Sequence, residues 1–303
     1  MLPLFDKSYS QETYDRDKLS DKEGVKITYM KFNSADLNPR RRSKLRLLLG
    51  KCYYRTKRRL YWRFGNVKFA TYKESTPLPL ICFSHSTPLL RKLKDVDMYL
   101  QYHKITNLKI AAKKVNHIIL QPGETFSYWK LIGKPTRRKG YKKGLILFSG
   151  AFLPGMGGGL CQLSNLIYWM TLHTPLTVVE RYRHSYDVFP DSNRTQPFGS
   201  GATCVYNYRD LMIRNDTSQP FQLMIWLTDT HLCGCWRMQN KIIETYQVYE
   251  KEHYIKRELF GKYSRHNAIY RKVFDLAGKE IAEEYITENH ALMMYEPFLE
   301  IKN

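Results

Sequence analysis

The sequence predicts an α+β protein in which a buried, cysteine-bearing helix packs on a mainly antiparallel sheet, with a basic helical region on its N-terminal side. Three observations predict it. Residues 160–173 are apolar nearly all round, and such a helix belongs in a domain centre. Short β-like runs punctuated by Pro and Gly stand on both sides of it. Upstream, Leu45, Leu48, Leu49 and Cys52 recur at helical spacing inside a strongly basic stretch.

Residues 1–36 are polar, carry little periodicity and are expected to form a mobile arm. Asn38-Pro39 is a helix start, with Asn as cap and Pro at the first helical position. Residues 37–90 then make a basic amphipathic region. From Arg40 to Arg63 there are eleven Lys or Arg, Arg40, Arg41, Arg42, Arg58 and Arg59 among them, and no acid. Tyr53, Tyr54, Tyr61 and Trp62 are interleaved. An anionic membrane face suits that mixture, with aromatics at head-group level. Nucleic acid ranks below it, and an ordinary solvated helix face is the plain alternative.

Residues 91–235 read as the core domain. An apolar run at 78–83 lies between two Thr-Pro-Leu turns. Asn107 is read as the cap of an amphipathic helix through Ile119. Strands are expected at 125–131, 145–152, 177–179, 202–208, 211–213 and 221–227, with a basic loop at 134–143. Residues 236–303 form a strand-rich segment that completes the domain.

The net charge of +21 favours anionic partners. Residues 1–31 lack the apolar core of a secretory signal, and no run of roughly 18 apolar residues exists. The expectation is a cytoplasmic protein, peripheral at the inner membrane face, with six reduced thiols. His231, Cys233 and Cys235 lie close together, but no second pair has zinc-like spacing. No metal and no cofactor are expected.

The chemistry concentrates at residues 155–187. Gly157, Gly158 and Gly159 precede Cys161 at the start of the apolar helix. Unpaired backbone N–H groups and the helix dipole favour an anion there, so the thiol is expected to titrate below a free cysteine. Gly158, Gly159 and Gln162 are candidate backbone donors to an oxyanion. A turn at Pro175 returns the chain, bringing His184 beside Cys161 as its base. Asp187, Glu180 and Asp191 are all candidates to orient the imidazole. Ser164, Glu180 and Arg181 support the site. The competing reading is a packing thiol, since cysteine is among the most buried residue types.

These strings resemble the VanW family. The likeness lies in Gln121-Pro122-Gly123-Glu124-Thr125-Phe126-Ser127, in residues 157–165, in Val179-Glu180-Arg181 with His184, and in Arg214-Asn215-Asp216-Thr217. It covers roughly residues 90–230. The family takes its name from glycopeptide-resistance gene clusters. Some VanW domains of exported wall proteins look like L,D-transpeptidases that cross-link peptidoglycan through the family cysteine. The resemblance therefore implies Cys161 as nucleophile and His184 as base, acting on peptidoglycan peptides or precursors; the alternative is a non-catalytic accessory that binds an anionic envelope precursor or the membrane face. Two positions depart from the common pattern: Tyr182 replaces a histidine, and Gly201 replaces an aspartate.

Overall fold

The computed structural model describes residues 43–90, 97–148, 151–183, 186–188, 196–241, 243–259 and 261–297. The fold is α+β, and among the described residues the strands pair antiparallel except for one short parallel contact between strands and a parallel isolated bridge of Phe69 with Thr125. Asn38-Pro39, Arg40, Arg41, Arg42, His184 and Asp191 lie outside the described residues.

Helix α1 (Lys44–Phe64) is capped by Ser43, whose side chain accepts the Arg46 N–H. Strand β1 (Leu80–Pro88) begins inside the apolar run at 78–83 and edges a four-stranded sheet. Helix α2 (Met98–Val115) corrects the expected cap. Asn107 is not at its start but within it, fully buried, and Asp97 holds the cap position. A polar residue in an amphipathic stripe looks like a helix start until its tertiary partners are known. The helix also stops before Ile118, and β2 (Ile118–Leu120) joins the sheet instead.

Next come β3 (Thr125–Ser127) and the single-turn α3 (Tyr128–Ile132), where one aromatic strand was expected. The expected strand at 145–152 is a hairpin of β4 (Lys143–Phe148) and β5 (Ala151–Met156). Helix α4 (Cys161–Leu172) is the predicted central helix, buried from Leu163 to Leu172 apart from Asn165. Strands β6 (Thr177–Glu180), β7 (Tyr186–Asp187) and β8 (Met212–Arg214) follow. Residues 202–208 hold only an isolated bridge, Val205 with Arg209.

Strand β9 (Phe221–Leu227) matches its prediction and pairs with β10 (His231–Met238). Helix α4 packs against this layer: Trp236 is fully buried and its Nε1 donates to Thr171 Oγ1 at 3.0 Å. The last three strands are β11 (Thr245–Arg257), β12 (Tyr263–Phe274) and β13 (Glu280–Met293). They make a sheet of their own, in the order β11-β12-β13-β7. Among the described residues, no helix is long and apolar enough to cross a membrane.

Candidate functional site

The glycine turn is built by close approach. Gly157 and Gly159 have φ of 73° and 89°, which L side chains rarely adopt. Gly158 sits against Gly144, so a Cβ there would fall on the Gly144 carbonyl and 2.6 Å from the Leu145 nitrogen. Asn107 locks this contact. Its Nδ2 donates to the Gly158 carbonyl at 2.9 Å and the Lys142 carbonyl at 3.1 Å, and its Oδ1 accepts the Lys142 N–H at 2.8 Å. The Gly157 N–H donates to the same Lys142 carbonyl at 3.0 Å. One buried amide thus ties helix α2, the basic loop and the glycine turn together.

Cys161 is the first residue of α4, as expected. Its thiol is not depressed. Burial pushes it up, and backbone hydrogen bonding from Cys204 and from its own amide only partly offsets this. The residue as a whole is partly exposed, but the sulfur is desolvated, and that outweighs the helix start. Two of the anticipated oxyanion donors are already used: the Gly158 N–H donates to Gly155 and the Gln162 N–H to Gly159. The Gln162 side chain reaches away, its Nε2 2.9 Å from both Thr87 Oγ1 and the Pro88 carbonyl. The Gly159 N–H has no hydrogen-bond partner among the described residues.

The segment facing Cys161 is residues 201–204. Ser164 Oγ lies 2.7 Å from the Ala202 carbonyl, and Asn165 Oδ1 accepts the Ala202 N–H at 2.8 Å. The Thr203 N–H donates to the Tyr182 carbonyl at 2.7 Å. Tyr182, two residues past the end of β6, thus borders the segment that covers the first turn of α4, one residue from Cys204. Burial raises the Cys204 thiol well above its ordinary range, and the neighbouring Asp210 and Cys161 add to this. Cys204 is a buried core thiol, and the fold sets it beside Cys161 although the two lie far apart along the chain.

Glu180 does not face the thiol. Its carboxylate takes both Arg58 guanidinium nitrogens, at 2.7 and 2.5 Å, and the Asp210 N–H at 3.1 Å. Arg58 is correspondingly a core-facing residue rather than a surface contact for anions, while Arg59 is exposed. Asp210 is fully buried; it accepts from Ser127 Oγ at 2.5 Å and from the Trp129 and Leu211 N–H groups at 2.9 Å each. Burial and the nearby Glu180 push it up to about 7.

Arg181 stacks over the Tyr168 ring at 5.0 Å and donates to the Gly201 carbonyl at 3.0 Å, to the Gly199 carbonyl, to Thr287 Oγ1 at 3.1 Å and to Asn289 Oδ1 at 3.2 Å. Asp187 is buried in β7, accepting Tyr295 Oη at 2.8 Å and facing Arg265 at 3.5 Å. Both residues are thus held by the C-terminal sheet. No periodicity in residues 245–293 signals that role, because their partners are remote in sequence. Among the described residues, no group of three or more His, Cys, Asp or Glu is placed to hold a metal ion.

Residues 103–237 match the family model described as VanW like protein. This segment, less than half of the chain, resembles the VanW family. The chain is 37% identical over 172 residues to the vancomycin B-type resistance protein VanW of Enterococcus faecalis, covering 57% of this chain and 62% of that protein. It is 33% identical over 114 residues to the uncharacterized protein YoaR of Bacillus subtilis, covering 38% of this chain and 36% of YoaR. The matches thus span less than two thirds of each relative. No solved structure matches. The matched segment contains Asn107, the glycine turn, Cys161, Cys204 and Asp210; β11, β12 and β13 lie beyond it.

Proposed function

We propose that this chain is a cysteine-dependent acyl transferase acting on peptidoglycan peptides or their precursors. The observation that carries the reading is the setting of Cys161: it opens a buried helix after a turn that needs glycine, with the Cys204 amide and its own amide bonded toward the sulfur. A thiolate there attacks a peptide carbonyl. The amine leaves with a proton, a thioester forms, and a second amine displaces the thiol. The Gly159 N–H is the spare donor for the oxyanion. Because burial keeps the resting thiol neutral, a base must take its proton when substrate binds; His184 is the residue the sequence offers for that step. Resemblance to a vancomycin resistance protein supports placing the substrate in the cell envelope.

The test is direct. Incubation with a stem-peptide donor followed by mass spectrometry yields a thioester on the peptide containing Cys161, and Cys161→Ala abolishes it. Absence of any adduct, with Cys161 also inert to iodoacetamide at alkaline pH in the folded protein, ends the reading.

A second reading is a non-catalytic accessory that binds an anionic envelope precursor. Charge beside the site favours it. Residues 125–179 contain seven Lys or Arg and no acid, and Lys142 in that stretch is bonded to the glycine turn. Here Cys161→Ser leaves a resistance phenotype intact, while charge reversal at Arg138, Lys139 and Lys142 removes it.

A further inference from the structure

We infer that the outward face of helix α1 is a docking surface for an anionic lipid bilayer, with the helix lying in the plane of the membrane. Arg58 pairs with Glu180, Arg55 Nε donates to the Tyr206 carbonyl at 3.4 Å, and Asn207 Nδ2 donates to the Arg55 carbonyl at 3.3 Å. Trp62 packs against the core, and Lys130 Nζ donates to its carbonyl at 3.2 Å. These contacts fix one side of the helix, with Leu47 and Lys51 also partly covered.

The other side inverts the usual pattern. At 3.6 residues per turn, Leu45, Leu49, Tyr53 and Leu60 lie along the side opposite Arg58, with Phe64 at its flank and Leu48 on the shoulder next to Arg55. Each of these six is more than half exposed. A helix on a globular domain ordinarily turns its apolar stripe inward; this one anchors through arginines and presents leucine to solvent. Basic residues border the stripe: Arg46, Lys57, Arg59 and Arg63 have no carboxylate partner among the described residues. The helix contains eight Lys or Arg and no acid.

The composition of the face selects its occupant. Aliphatic side chains gain from hydrocarbon and cations from anionic head groups, and one helix can satisfy both only at a bilayer interface. A second copy is disfavoured by charge, since a two-fold contact sets this acid-free surface against itself. Nucleic acid rewards the cations and aromatics but leaves the exposed leucines in water. The inference is independent of the chemistry at Cys161.

Vesicle sedimentation of the full chain tests it. The protein is expected to pellet with phosphatidylcholine vesicles containing phosphatidylglycerol and to stay in solution with phosphatidylcholine alone. Reversing three cations, Lys57→Glu with Arg59→Glu and Arg63→Glu, lowers partitioning by about a hundredfold or more. Leu45→Ser with Leu49→Ser also lowers it at unchanged charge. Both variants keep the wild-type melting temperature, because the altered side chains face away from the core, and Cys161→Ala leaves binding unchanged. Equal partitioning to neutral and anionic vesicles, or none to either, overturns the inference. So does a concentration-dependent dimer that the leucine variant abolishes, or duplex DNA binding that survives the leucine changes and outcompetes the vesicles.

Discussion

Arg58 on α1 and Glu180 on β6 form a two-pronged ion pair at 2.7 and 2.5 Å, with side chains only 10% and 3% exposed. A buried pair of this kind contributes little net stability but is costly to break, because the surviving charge has nowhere to go. Arg58→Met is therefore expected to lower unfolding free energy by about 3–5 kcal/mol. Adding Glu180→Gln recovers much of the loss. Urea denaturation of the two single variants and the double reads the coupling; additive losses would contradict the pairing.

The Cys161 thiol is raised by burial, so its alkylation is expected to be slow at neutral pH and to keep climbing above pH of about 9. Iodoacetamide labelling read by peptide mass spectrometry gives the profile. Reaction that levels off below pH of about 7 would mean a primed resting thiolate and contradict the electrostatics described here.

Two glycines give opposite reasons for a substitution to cost. Gly158→Ala drives a methyl into the Gly144 carbonyl at the turn before Cys161. The expected loss is about 1–3 kcal/mol or more, with disturbed Cys161 labelling. Gly123 has φ of 76° but nothing within 4 Å of its missing Cβ, so Gly123→Ala costs only about 1 kcal/mol of backbone strain. Thermal melts of both variants, with labelling, separate steric from conformational cost.

Acid pH acts on the fold through groups of opposite sign. Burial lowers His266 to about 4, helped by His290, Lys256 and Arg183 and opposed by Glu288. Its Nδ1 is 2.7 Å from His290 Nδ1, so one ring must donate and the other accept. The unfolded histidine binds a proton first, and stability from this group is lost as pH falls from about 6.5 toward 4. Asp210 runs the other way. Its folded value of about 7 exceeds the ordinary carboxylate range, so the folded state holds the proton longer and stability falls as pH rises from about 4 to 7. Denaturation across this window should show Asp210→Asn removing a falling slope and His266→Gln removing a rising one. Variants with unchanged slopes would show that these groups do not titrate between the folded and unfolded states.

The sequence by itself determined the parts governed by local rules. An all-apolar run makes a central helix, and its cysteine stands at the helix start after a glycine turn. Residues 221–227 give a buried strand, and the acid-free stretch at 44–64 gives a basic helix. Tertiary structure decided what depends on partners distant along the chain. Asn107 reads as a cap from its neighbours but is a buried tie between three elements, because Lys142 and Gly158 lie 35 and 51 residues away. Arg58 reads as surface charge until Glu180 meets it. The Cys161 thiol follows the same logic: a helix start favours the anion, but desolvation is set by everything packed around the sulfur, and here it outweighs the local field.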